Sequence, residues 1–134
     1  MKYFTEKELG IEMANVIVKK NMNRLVEQVL DPLREKVGAI RINSGYRTPE
    51  HNRRIGGSPT SQHCKGEAVD IFPLKKDIAD VFALIIREFK YDQAILEKNN
   101  AGARWLHISY KKDGNRQKAM TATVINGKAT YKNV

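Results

Sequence analysis

The chain has 134 residues, 41% of them hydrophobic and 29% charged, a size and composition at which a single water-soluble domain of roughly 100–200 residues buries its own core. One cysteine, Cys64, excludes an internal disulfide, so folding in a reducing compartment is allowed. The 24 lysines and arginines against 15 acidic residues give +9, which favours an anionic partner without choosing among nucleic acid, a membrane surface and a bacterial cell wall.

Residues 1–20 lack the apolar run of roughly 7–15 residues of a signal peptide, and nothing downstream reaches the roughly 20 needed to span a bilayer. The expectation is a monomer made in the cytoplasm without a signal peptide and without membrane insertion. Thr5 with Glu8 forms a capping-box pattern that opens a short helix, and Gly10 closes it. From Met22, apolar residues at Leu25, Val26, Val29, Leu30, Leu33 and Val37 form one helical stripe ending at Gly38. Pro32 lies inside it and predicts either a kink or a restart with Asp31 as N-cap.

Ile40 and Ile42 alternate with polar residues as a strand ending at Ser44-Gly45. Thr48-Pro49 starts a short helix that Gly56-Gly57 stops, and Ser58 to Gln62 reads as a loop. Strand character follows over 68–72, then an amphipathic helix over about 77–89 carrying Ile78, Val81, Phe82, Ile85 and Phe89. Two strands over 91–97 and 104–110 flank a turn, and Asn126-Gly127 marks a hairpin between 120–125 and 128–131. The whole is one α+β domain over 1–134, with a mostly antiparallel sheet flanked by helices.

Three histidines are present, and two have unusual neighbours. His63 and Asp70 sit seven apart in Ser61-Gln62-His63-Cys64-Lys65-Gly66-Glu67-Ala68-Val69-Asp70, and His107 lies in the apolar strand Trp105-Leu106-His107-Ile108. Two imidazoles and one carboxylate suit a zinc ion with an open fourth position. Spacing alone equally allows a hydrogen-bonded histidine and an aspartate at a strand end. His51, among charged neighbours, reads as a surface residue, and Cys64 as facing away from a metal that His63 holds. Glu67 falls out of phase with Asp70 as a candidate base.

These residues carry a resemblance. Ser61-Gln62-His63-x-x-Gly66-x-Ala68-x-Asp70 with Trp105-x-His107 resembles the zinc-ligand signature of M15-type peptidoglycan peptidases. That group includes D-Ala-D-Ala carboxypeptidases, dipeptidases and phage endolysins related in fold to the hedgehog signalling domain. Ser44-Gly45-Tyr46-Arg47-Thr48-Pro49-Glu50-His51-Asn52 is similar to the family's arginine-bearing segment, and Tyr91 to Glu97 to the strand before the last ligand. The resemblance runs from about Gly38 to Tyr110. It implies His63, Asp70 and His107 as zinc ligands and Arg47 as the group that holds the substrate and the developing oxyanion.

The general base departs from the pattern. In the dipeptidase branch a glutamate stands three residues before the last histidine ligand, and here that position is Arg104, which cannot accept a proton. Glu97 replaces it by register: if 91–97 and 104–110 pair antiparallel with Glu97 opposite Trp105, then Ile95 faces His107, and Glu97 lies diagonally about 7–8 Å from His107. Asp92 or a carboxylate of the substrate is the fallback.

The implied activity is zinc-dependent hydrolysis of an amide bond in a peptidoglycan stem peptide, of carboxypeptidase or L-Ala-D-Glu endopeptidase type, with a metal-activated water as nucleophile. Such a protein acts on the wall after release, as a phage lysin does, or after export by another route. An inactive zinc-bearing wall-binding domain of the same fold would keep the ligands and lack a competent base. A specific nucleic-acid binder is disfavoured, because aromatic residues are only 7% and no stacking platform is visible. The basic stretch 111–134 reads either as a solvated face or as a docking surface.

Overall fold

A computed structural model describes residues 1–134. Helix α1 (Glu6–Leu9) has the expected capping box, with the Thr5 hydroxyl accepting from Glu8 N and Gly10 turning left-handed at its end. Helix α2 (Val16–Leu25) starts earlier than the stripe suggests, because Asn15 caps it by accepting from Val18 N. It runs through a π-helical turn (Val26–Leu30) into α3 (Asp31–Val37) without leaving helical dihedrals. Pro32 causes the widening: it cannot donate to the carbonyl four residues back, so the helix relaxes into a π turn rather than breaking. Asp31 is not an N-cap; its carboxylate accepts from Lys2 N at 2.9 Å and Tyr3 N at 3.3 Å.

Strand β1 (Ile40–Ser44), helix α4 (Pro49–Arg54) and strand β2 (Ala68–Pro73) follow. Between α4 and β2, residues 58–61 carry no helix or strand, and a 3₁₀ turn over Gln62–Lys65 follows them. Helix α5 (Ile78–Glu88), capped by Asp77, leads to β3 (Gln93–Asn99), β4 (Arg104–Ser109), β5 (Lys118–Ile125) and β6 (Lys128–Asn133). Asn126 (φ 50°) and Gly127 (φ 78°) both take positive φ between the last two strands, as a type I′ hairpin turn requires.

The six strands form one sheet in the order β1-β2-β4-β3-β5-β6. Every pairing is antiparallel except β3–β5, which is parallel. Both edges of β4 are taken by β2 and β3, so the returning chain can extend the sheet on this side only along β3. Strand alternation gives the sheet two unlike faces. Val69, Ile71, Ala94, Leu106 and Ile108 point to one face and join Leu25, Leu30, Leu33, Val81 and Ile85 of the helices in the main core. Asp70, Ile95, Glu97, Trp105 and His107 take the opposite phase and line a cleft of about 840 Å³. Its floor is a small separate apolar cluster of Ile95, Met120 and Ala122.

Candidate metal centre

The 3₁₀ turn that carries His63 is held at both ends. The Ser61 hydroxyl accepts from His63 N, and Gly66 closes the turn at φ 74°. A Cβ on Gly66 would stand 2.6 Å from the Val18 carbonyl oxygen, so glycine is needed for both dihedral and space. His63 is buried, and its Nδ1 lies 2.8 Å from the Gly45 carbonyl oxygen. Only an N–H can satisfy a carbonyl, so the proton sits on Nδ1 and the Nε2 lone pair is left for the cleft. Gly45 itself is packed so closely that a Cβ would lie 2.2 Å from Leu9 O.

Asp70 and His107 are cross-strand partners on β2 and β4. Asp70 Oδ1 stands 3.1 Å from His107 Nδ1 and 3.3 Å from His63 Nε2. The ligand atoms of all three residues lie within 4.8 Å of one another. Ligands on a tetrahedral zinc with bonds of about 2.0–2.1 Å are about 3.3 Å apart, so the donor set and its two shorter separations fit that ion. Burial works to raise the Asp70 pKa, but the two imidazoles outweigh it and hold the carboxyl well below the usual range.

A bulge in β1 between Ile42 and Ser44 brings Ser44 opposite Asp70. Ser44 Oγ then accepts from Arg47 Nε at 3.1 Å, Asn52 Oδ1 from Arg47 Nη1 at 3.3 Å, and Asp70 Oδ2 from Arg47 Nη2 at 3.3 Å. Arg47 is therefore tied to the Asp70 carboxylate as well as facing the cleft, and two of its five N–H groups remain without a protein acceptor. Asn52 is buried and donates to Ser58 O. Asn52 closes the segment that resembles the family's arginine-bearing motif, but sequence reasoning gave it no role; in the structure it braces Arg47.

Glu97 pairs with Trp105 and Ile95 with His107, in the anticipated register. Trp105 Nε1 donates to Glu97 Oε2 at 3.1 Å, which leaves Oε1 without a protein donor. Burial raises the Glu97 pKa, with Asp70 adding to the shift, while His107, Trp105 and Arg47 oppose it. Arg104 is exposed at the first residue of β4, out of phase with Trp105 and His107. Cys64 and His51 lie outside the ligand group. Cys64 is turned off by the 3₁₀ geometry rather than by extended-chain alternation.

Asp92 is no fallback base. Its side chain is 0% exposed and accepts from Arg116 Nε, Nη2 and backbone N and from Gln62 Nε2, with Lys111 Nζ at 3.6 Å. Burial pushes its pKa up, but these donors prevail and hold it at about 2. Through Gln62 it braces the turn that carries His63.

The hairpin β5–β6 completes the cleft with Lys118, Met120, Val124 and Tyr131. The sequence offered their alternation but no sign that β5 would lie beside β3. The basic stretch 111–134 divides: Lys111 and Arg116 engage Asp92, Lys118 lines the cleft, and Lys128 and Lys132 take the alternate phase of the edge strand.

Two imidazoles and a carboxylate that could hold a metal ion share an open cleft on one sheet face with a braced arginine and a second carboxylate with a free oxygen. The family model Peptidase M15 matches residues 2–109, and the chain belongs to that family of metallopeptidases, whose members are generally zinc-dependent. No curated protein matches the chain. No helix is long and apolar enough to cross a membrane.

Proposed function

We propose that this protein hydrolyses an amide bond in peptidoglycan stem peptides, with His63, Asp70 and His107 holding zinc. The observation that carries the reading is the approach of His63 Nε2 and His107 Nδ1 to one oxygen of Asp70, in a cleft shared with Glu97. Zinc, when bound, supplies a Lewis acid that polarises the scissile carbonyl and makes water a nucleophile near neutral pH.

The chain's own residues do the rest. Gly45 O fixes the His63 tautomer, and Arg47 steadies Asp70 through Oδ2. Glu97 accepts the proton of the attacking water at Oε1 and returns it to the leaving amine, while Trp105 holds the other oxygen in place. The free N–H groups of Arg47 bind the oxygen on which negative charge develops. The +9 chain is attracted to the anionic wall polymer.

Mass spectrometry of purified muropeptides, before and after incubation with zinc-loaded protein, tests this. A new fragment with the mass of amide hydrolysis is expected. Wall binding without any fragment would mean that the fold serves as a zinc-bearing binding domain.

A further inference from the structure

The cleft has a direction, set by the rows of the sheet. His107, Ile95 and Met120 form one row, and Trp105, Glu97, Ala122 and Tyr131 form the next. On the other side of the His107 row, Gln93 pairs with Lys118. Residues two apart along a strand are separated by about 6.6 Å, so Lys118 begins one such step from the metal row, on the side opposite Glu97.

Two cations meet there. Lys118 is exposed at the first residue of β5, lines the cleft, and forms an ion pair with none of the chain's carboxylates. Arg116 also lines the cleft, and its guanidinium is fixed on Asp92 through Nε at 3.0 Å and Nη2 at 2.8 Å. Both Nη1 hydrogens remain without a protein acceptor. Lys111 is also close to Asp92, and Glu67 lies near both of them, so the three cations Lys111, Arg116 and Lys118 still outnumber the two acids at this end of the cleft.

The backbone between the two cations is held in an uncommon conformation. Gln117 has φ 54°, a left-handed region that non-glycine residues rarely adopt and that persists only where surroundings impose it. Its Oε1 accepts from Tyr91 N and its Nε2 donates to Phe89 O. Lys118 N donates to Asp92 O at 3.0 Å. Phe89, Tyr91 and Asp92, just before β3, therefore fix where both cations stand. Lys128 and Lys132 differ: on the outermost strand they serve the ordinary purpose of charge on a sheet edge. Lys118 lies on an inner strand, and that explanation does not reach it.

We infer that Lys118 and Arg116 form a subsite for a carboxylate of the substrate, so that the protein selects peptides carrying a free carboxylate on the β3–β5 side of the scissile bond. Arg116 offers a preorganised pair of donors, and Lys118 a mobile point charge that closes on the same group. The cleft walls focus the field of an unpaired cation and attract the anionic end first. Residues 110–134 lie beyond the family-matched segment 2–109, so this subsite belongs to the part of the chain that the family does not define. The inference rests on the peptidase reading for its substrate, but its test does not need turnover.

Three peptides distinguish the sources of a carboxylate: a stem pentapeptide with free acids, the same peptide amidated at the glutamyl α-carboxyl, and the same peptide amidated at the C-terminus. Binding to zinc-loaded protein is measured by calorimetry for the parent and for Lys118→Met, which keeps the stem of an exposed side chain and removes its charge. One amidation should weaken binding to the parent by roughly tenfold. In Lys118→Met the free acid should bind as weakly as that amide, and the amide should be unaffected. Equal binding of all three peptides to the parent, undetectable binding of all three, or undiminished discrimination by Lys118→Met would overturn the subsite. Cleavage is followed in the same samples: discrimination without cleavage sinks the peptidase reading and leaves the subsite standing, and cleavage without discrimination does the reverse.

Discussion

The indole N–H of Trp105 donates to Glu97 Oε2 at 3.1 Å across the β3–β4 pair. This single bond holds one carboxylate oxygen and leaves the other without a protein donor, as the proposed role of Glu97 requires.

Glu97→Gln keeps the size and the bond to Trp105 but cannot hold the proton. Turnover of a stem peptide should fall by roughly 10²–10⁴-fold with zinc content unchanged. The sign of the stability effect is opposite. Burial raises the folded pKa of Glu97 above its ordinary 4.5, so the unfolded chain releases this proton first and stability declines as pH rises through that interval. At neutral pH the metal-free Gln variant should therefore melt no lower than the parent. A lower melting temperature together with full activity would refute the assignment.

Trp105→Phe preserves most of the ring and deletes the donor. Losing a neutral donor to a charged acceptor costs about 1.5–3 kcal/mol where the bond is fully expressed, and here it frees Glu97 to leave its position. The expected outcome is a drop in kcat with little change in KM or zinc content. A raised KM alone would make Trp105 a substrate contact instead.

Metal binding should depend on groups that never touch the ion. His63→Ala and His107→Ala should each remove most of the one zinc per chain, read by atomic absorption after dialysis. Gly45→Ala should mimic this in part, because its Cβ would stand 2.2 Å from Leu9 O and the backbone that fixes the His63 tautomer must move. Overpacking of this kind costs about 1–3 kcal/mol. Unchanged zinc affinity in Gly45→Ala would show that the carbonyl does not govern the imidazole.

Asp92 predicts an acid-sensitive brace. Its folded pKa of about 2 lies below the ordinary 3.8, so its contribution is complete above about pH 4 and is lost as pH falls from there through about 2. Asp92→Asn should destabilise the metal-free protein at neutral pH by about 2 kcal/mol, less than the about 3–5 for a fully buried pair because Arg116 is half-exposed. Thermal melts of parent and variant should converge as the pH is lowered across that window. A constant difference at every pH would exclude the ion pair as its source.

Local chemistry wrote much of this protein into its sequence. Thr5 and Glu8 cap a helix, Asn126-Gly127 makes a hairpin, and the spacing of Ile78, Val81, Phe82 and Ile85 buries one helix face, each through neighbours within about one turn of chain. The register of Glu97 against Trp105 was legible for the same reason, since strand alternation ties the side chains of a short pair to one face. Other features depended on segments far apart. Pro32 announced a disturbance, but packing of the flanking helical turns decided that it would be a π turn and not a break. The parallel placement of β5 beside β3 follows from which sheet edge remained free once β2 had paired with β4. Only that placement carries Lys118 and Tyr131 into the cleft, and only the assembled core gives Asp92 its partner Arg116. Charge and alternation say what a side chain can do; the pairing of distant strands decides what it meets.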